Sequence, residues 1–489
     1  MPADERRRFV RIHLAILLVL VCVTSWASCA YFHIDENFQI LQWTWWKLGL
    51  VDEGTLPMEH ALRMRSWFQP WIYWLLAQAI PTRDRFLLAF AFRVFTGLCA
   101  FYALASFVKT ALPWMKTEAE QKLFIRLATL LGFLPYLFVR TSSETLSMAS
   151  ATLAFSLAAS KRRHLPLVGL LLGVAFEARF QSAFLAVGLL AWLVFVAREK
   201  KTWQVLPGGV AMLGLGAIVD RWGYGEWAFP AWMYFRTNVL DGIAALFGAD
   251  PPFAYLWMLP SNFFAPIVIV LLVAAAFTWA RYPKHPLTWT TLPFFMVHNL
   301  LAHKEERFLF PMAILATAFV PLGFGPSGPV RWRRAAAFVW RRTCALRVLA
   351  VWSFVFLAVL ALWPVGWHHH VRFQRYVHDS IGDSFHAVAL PDFDLGLPAF
   401  HARVYDVQKA SAEDILETLH GAKLLVADSP RLRSGNAELD ARATLVWSEL
   451  PCFRNRALTD RAMRAIDAYN AIAKPPLRPL RYRSLYRLE

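Results

Sequence analysis

The chain has 489 residues, 57% of them hydrophobic, 15% aromatic and 17% charged, with a formal net charge of +17. A soluble chain carries roughly a quarter charged residues, so an ordinary soluble protein is excluded. The positive balance is read as Lys and Arg held in short cytoplasmic loops rather than as a nucleic-acid surface, and five scattered cysteines without a CxxC imply neither a metal site nor a disulfide framework.

In chain order, Arg6, Arg7 and Arg8 precede an apolar run over 12–31. Because more spans follow, the run reads as an uncleaved signal anchor rather than a cleaved signal peptide. Its arginines place the N-terminus in the cytoplasm. The stretch HIDENFQ (33–39) then emerges in the periplasm or a lumen and opens a long outer loop, 32–85. Within that loop, WIYWLLAQAI (71–80) is too short to span and reads as re-entrant or interfacial.

Further spans are predicted at 86–108, 123–139, 143–160, 165–178, 181–197, 205–219, 262–280, 287–302, 309–324 and 345–364. With this count the main basic loops (109–122, 161–163, 198–201, 281–285 and 330–334) fall on one side. No internal repeat of the kind many transporters carry is visible. After about residue 366 the composition changes. The pieces 422–428 and 443–450 and the amphipathic 461–473 predict a small soluble appendage. The expected architecture is an all-α polytopic membrane domain over 1–366, with about eleven transmembrane helices, and a small α/β extramembrane domain over 367–489 on the outer face.

The outer segments join charges to aromatics: HIDENFQILQWTWW, LRMRSWFQP (62–70), VRTSSET (139–145), EARFQS (177–182), 220–248 and HKEERFLFP (303–311). Trp43, Trp45, Trp46, Trp67, Trp227 and Trp232 suit an interfacial belt. The charges are less easily dismissed, because ionisable groups at apolar helix ends are expensive unless paired or functional. Asp35, Glu36, Glu305 and Glu306, beside Arg65, Arg140, Arg179, Lys304 and Arg307, form either a mixed-charge pocket or a set of salt bridges. A pocket of that kind suits glycosyl transfer from a lipid-phosphate sugar. A carboxylate takes the acceptor proton, and cations take up charge developing on a phosphate leaving group. No GxGxxG or P-loop pattern suggests a nucleotide site, and two adjacent acids do not specify a metal site.

HKEERFLFP resembles the HKE-x-RF-x-x-P signature of the family 22 glycosyltransferases, the polyprenyl- or dolichyl-phosphate-mannose-dependent mannosyltransferases of GPI-anchor and N-glycan assembly. HIDENFQ is similar to their first-loop H-P-D-E-x-x-Q pattern, with Ile34 in place of the proline. LRMRSWFQP resembles their R-S-x-x-x-P segment. DRWGYGEW (220–227), Asn238 and FGADPPFAYLW (247–257) follow a third pattern, and Phe180 stands where a proline follows Arg179. The matches keep family order over 31–311; the C-terminal part matches nothing recognised.

The resemblance implies a GT-C fold, no required cofactor or metal, and a polyprenyl-phosphate-mannose donor on the outer face, with a glycan or glycolipid acceptor. It makes Asp35 the first choice for the base and Glu36 the second. His303, Lys304 and Arg307 would hold the donor phosphate, aided by Arg65, Arg140 or Arg179. His33, Gln39, Glu305, Glu306, Asp220, Trp227 and Asn238 would shape the pocket. Transfer of another sugar, such as glucose or arabinose, and transport or flipping of a glycolipid are the alternatives; a transporter's site belongs near mid-membrane. An excess of Arg over Lys and the lack of an N-x-S/T sequon lean towards a bacterial plasma membrane, whereas the family points to the endoplasmic reticulum.

Overall fold

The computed structural model describes residues 2–263 and 265–325, Val355, and segments between 368 and 488. Two compact units divide the chain: Met1–Ser28, Ile34–Arg83 and Leu88–Leu362 form the first, and Cys29–His33, Asp84–Leu87 and Trp363–Glu489 form the second.

The first unit is helical. Helices α1 (Ala3–Ala27), α2 (Phe68–Ala79), α3 (Arg85–Ala111), α4 (Glu118–Leu130), α5 (Ser143–Ala158), α6 (Leu165–Ala178), α7 (Val205–Tyr224), α8 (Ala265–Arg281) and α9 (Pro286–Leu300) are its longer elements. Among the described residues, three helices are long and apolar enough to cross a membrane: Ala3–Ala27, Arg85–Trp114 and Thr202–Tyr224. Leu165–Ala178, Phe180–Val196 and Ala265–Arg281 are shorter apolar helices. Their outward faces stay apolar: Val19 on α1, Tyr102 on α3 and Val210 on α7 are each more than 60% exposed. Rows of this kind are what lipid, not water, covers.

Helix α2 has 12 residues. At 1.5 Å per residue it reaches about 18 Å, short of the ~30 Å hydrocarbon layer, which agrees with a non-spanning segment at 71–80. It docks on α3 through Tyr73, whose ring stacks on Phe92 at 4.5 Å and whose hydroxyl meets Thr96 Oγ1 at 2.8 Å.

The span expected at 123–139 is not one helix. Helix α4 begins at a capping box of Thr117 and Glu120 and ends at Leu130. A separate turn, Phe133–Phe138, follows Gly132. The stretch expected to span 309–324 is likewise segmented into Glu306–Met312, Ala313–Ala316 and Phe319–Phe324. Pro311 and Pro321 each remove a backbone donor there. The expected span 345–364, apart from Val355, the basic cluster 330–334 and the amphipathic piece 461–473 lie outside the described residues.

Helices α6 and α7 pack closest at glycine. A Cβ on Gly208 would strike the Pro166 carbonyl oxygen, and one on Gly169 the Val205 carbonyl oxygen. Small residues let two helices approach where lipid supplies no hydrophobic drive. Gly208→Ala is therefore expected to push α7 off α6 at an overpacking cost of about 1–3 kcal/mol. A fall in melting temperature in detergent checks it; an unchanged value would show that the contact yields without strain.

The second unit carries a helix, α10 (His368–Ser380), and a five-stranded sheet. Its strands are β1 (Phe385–Ala389), β2 (Tyr405–Lys409), β3 (Leu424–Ala427), β4 (Ala443–Ser448) and β5 (Ser484–Leu488), in the order β2-β1-β3-β5-β4. β1 runs parallel to β2 and β3, while β5 runs antiparallel to β3 and β4. Phe373 and Val377 of α10 pack with Ala387, Ala389, Val426 and Leu485 of the sheet.

Candidate active site

Helix α1 ends at Ala27, and a π-helical turn, Glu36–Leu41, begins directly after Asp35. The Gln42 N–H donates to the Asn37 carbonyl, five residues back, the bond that defines a π-turn. Such turns occur mostly as single insertions and frequently at functional sites. This one holds Asp35 at its mouth, with Glu36, Asn37, Gln39, Ile40 and Leu41 buried behind it.

Asp35 Oδ2 accepts a hydrogen bond from Arg307 Nη2 at 2.6 Å, across 272 positions of sequence. The Asp35 side chain keeps 20% of its surface exposed, whereas Arg307 keeps 6%. Arg307 also binds Glu305 through Nε, and its Nη1 lies 3.6 Å from Glu144 Oε1. The same Glu144 oxygen is 2.8 Å from Arg179 Nη1. Acid and base therefore alternate from Asp35 through Arg307 and Glu144 to Arg179. Both guanidinium groups lie over the Phe308 ring, Arg179 at 4.8 Å and Arg307 at 5.6 Å. Burial opposes the charge on Arg307, but Glu144, Asp35 and Glu305 outweigh it, so its proton is held more tightly than usual.

Arg65 stands beside this chain. It pairs with Glu59 at 3.1 Å and lies over the Tyr234 ring at 5.0 Å. Burial disfavours its charge, and Glu59, Tyr234 and Asp35 together overcome that penalty. Gln39 Nε2 donates at 2.7 Å to the same Glu59 oxygen, Oε1, that Arg65 binds.

At the opposite edge His303 Nε2 meets Glu305 Oε1 at 3.0 Å. This hydrogen bond raises the His303 pKa above 6.5, against partial burial. The link contributes stability fully below the unfolded value and loses it as pH rises through the raised folded value. A His303→Gln protein should therefore melt below the wild type at about pH 6, with the gap closing by about pH 9. Thermal melts at the two pH values check this; a gap independent of pH would mean that imidazole charge has no part in the link.

The other expected residues take different positions. Glu36 is buried and accepts from Thr141 N at 3.1 Å and Thr141 Oγ1 at 3.4 Å. Arg140 donates to the Ser28 carbonyl at 3.0 Å and Ser28 Oγ at 2.8 Å, and its guanidinium lies 4.4 Å over Tyr136. Lys304 turns its ammonium to the carbonyls of Asp250 (3.1 Å) and Leu301. Glu306 accepts from the Asn262 amide. Trp227 is 58% exposed and rests on Arg221 at 4.8 Å. Asn238 donates to the Tyr234 carbonyl at 3.1 Å. His33 is half-buried and groups with the second compact unit.

Asp220 works on the loop that carries Arg65. It accepts from Trp67 N at 2.7 Å and meets Ser66 Oγ at 3.1 Å, while Ser66 donates to Glu177 at 2.8 Å. The Tyr224 hydroxyl donates to the Arg65 carbonyl at 2.7 Å. Residues 65–67 are thus pinned to α7 through their backbone and to α6 through the Ser66 hydroxyl.

Two residues central to this geometry were not singled out in the sequence, Glu144 and Glu59. Glu144 sits one residue inside an apolar helix, which was itself a signal, since a lone acid there needs a partner. Glu59 had no comparable mark; it lies in a short helix, Met58–Ala61, in the first outer loop. Among the described residues no three His, Cys, Asp or Glu side chains are grouped to hold a metal ion.

A helical protein with membrane-length apolar helices and a buried acid–guanidinium chain at the mouth of its first loop is the class defined so far. The chain belongs to the Alg9-like mannosyltransferase family, whose model matches residues 12–389. It is similar to GPI alpha-1,2-mannosyltransferase 3 of Danio rerio, at 28% identity over 68% of this chain and 64% of that protein. A probable Dol-P-Man:Man(7)GlcNAc(2)-PP-Dol alpha-1,6-mannosyltransferase of Schizosaccharomyces pombe is 26% identical over 38% of this chain and 34% of its own length. The matches thus span less than two thirds of the length of these relatives. Among solved structures, apo ArnT from Cupriavidus metallidurans aligns with a TM-score of 0.47 at 14% identity, over 98% of each chain.

Proposed function

We propose that this chain is an integral membrane α-mannosyltransferase of GT-C architecture. It moves mannose from a polyprenyl-phosphate-mannose donor to a hydroxyl of a glycan or glycolipid acceptor on the outer or lumenal face. The observation that carries the reading is the Asp35–Arg307 pair at 2.6 Å: a partly exposed carboxylate beside a buried, permanently charged guanidinium. Asp35 takes the acceptor proton as the oxygen attacks the anomeric carbon from the side opposite the phosphate. Arg307, with Arg65, Arg179 and His303, takes up the charge that grows on the departing phosphate. Attack from the far side inverts a β-linked donor to an α-mannoside. No step calls for a metal or cofactor.

In this reading Lys304, Arg140, Asp220 and Glu36 hold the frame in which the reacting groups sit, and 367–489 is an extramembrane appendage. The excess of Arg over Lys favours a bacterial inner membrane with the site facing the periplasm, and the acceptor is a mannose-bearing glycolipid of the kind the named relatives imply. Purified protein in liposomes, given labelled polyprenyl-phosphate-mannose and such an acceptor, is expected to yield a labelled glycolipid cleaved by α-mannosidase. Labelled substrate accumulating in sealed vesicles with no new glycoside would favour a transporter. Turnover of a glucose or arabinose donor in place of mannose would favour the other-sugar reading.

A further inference from the structure

The end of α1 remote from Asp35 carries a second feature. A crevice of about 560 Å³ opens there between the first turns of α1 and the last turns of α3. Its size falls within the range of small-molecule sites. Its rim is basic, formed by Arg6, Arg7 and Arg11 of α1 and Lys109 of α3, and among the described residues no acid lines it. The one acid paired with this rim in the described structure is Asp4, 2.8 Å from Arg7, and both side chains are largely exposed. The floor is apolar: Leu14 and Leu112 line it and pack against the buried core. Val10 of α1 and Val108 of α3 extend this floor between the two helices.

Four like charges over one crevice repel one another, and a single exposed Asp4 offsets little of that repulsion. An anion seated in the crevice removes it. A soluble anion would satisfy the rim alone. A molecule with an anionic head and hydrocarbon tails satisfies rim and floor together. Basic pockets between membrane helices bind lipid head groups on this principle.

We propose that the crevice between α1 and α3 is a binding site for an anionic glycerophospholipid, its phosphodiester held by Arg6, Arg7, Arg11 and Lys109 and its acyl chains entering over the apolar floor of Val10, Leu14, Val108 and Leu112. The site is independent of the transfer reaction. The bound lipid ties the first helix to the third, so it stabilises the fold by mass action.

The test uses the full chain, delipidated in mild detergent and titrated with phosphatidylglycerol or phosphatidylcholine, with bound lipid counted by native mass spectrometry. Phosphatidylglycerol is expected to bind at least about ten-fold more tightly and to raise the melting temperature. The combined variant Arg6→Gln, Arg7→Gln, Arg11→Gln is expected to erase that preference. Leu14→Trp, which fills the floor and leaves every charge in place, is expected to weaken phosphatidylglycerol binding. The control Arg198→Gln, Lys200→Gln, Lys201→Gln, which removes basic charge elsewhere, is expected to keep the preference. Equal binding of the two lipids, or the control losing preference as fully as the rim variant, would overturn the site in favour of diffuse basic charge. Displacement of the lipid by millimolar inorganic phosphate would reduce it to a simple anion site and overturn the lipid assignment.

Discussion

Replacing Asp35 with asparagine is expected to cut mannosyl transfer by about 10²–10⁴-fold, the usual contribution of a general base, while moving the melting temperature little. The two effects separate because of how Arg307 is held. Losing the Asp35 charge still leaves Arg307 with Glu305 and Glu144. Asparagine keeps the shape and an accepting oxygen, so the side chain stays in place and only the proton acceptor is lost. Turnover at saturating labelled donor, beside a thermal melt of the same preparation, measures both. Undiminished transfer would remove Asp35 from the chemistry and pass the role to another acid.

Glu144→Gln is expected to do the opposite and damage the fold first. The Glu144 side chain is 1% exposed and faces two guanidinium groups. Arg179, itself 2% exposed, has Glu144 as its carboxylate partner; its other contacts are the Ser143 hydroxyl at 3.3 Å and the Phe308 ring. Removing one partner of a buried ion pair leaves an uncompensated charge and costs about 3–5 kcal/mol. A membrane protein losing that much should express poorly or melt well below the wild type. Glu144→Asp keeps the charge on a shorter stem and should recover part of the stability and less of the activity, because Arg307 would then be drawn away from Asp35. A Glu144→Gln protein with normal melting and normal turnover would mean that Arg179 and Arg307 are supported from elsewhere.

These two carboxylates also show what was legible in the sequence. Asp35 lies in a quoted motif that pairs with HKEERF, so its meeting with Arg307 followed from family order and not from any local pattern. Glu144 lies in the turn RTSSET, where the family pattern marks Arg140 instead. The structure sends Arg140 to Ser28 and Tyr136 and brings Glu144 to the cations. Both side chains are buried, so what differs is the set of groups around each, and single-sequence reading does not resolve that. The long apolar helices were legible because hydropathy over some twenty residues is a strong signal. The break at Leu131 and Gly132 was less so, since apolar residues continue on both sides and only Gly132 and Pro135, which cannot donate to the Leu131 carbonyl, mark it. Lys304 illustrates a further limit: its motif marks it as a cation, but burial turned its ammonium to backbone carbonyls.

The π-turn at Glu36–Leu41 makes the placement of Asp35 a matter of residue count. Such a turn holds one residue more than the α-turn it replaces. Gln42, Trp43, Thr44 and Trp45 are buried in the helix that follows and hold its register. Deleting Ile40 would let the segment close as ordinary α-helix with that register intact. The slack would be taken up on the other side, turning Asp35 by roughly 100° about the helix axis. The carboxylate would then point away from Arg307 although every charged residue of the site remained in the chain. Length variants in this short interval therefore separate composition from phase: they change no functional group, only the angle at which one is presented.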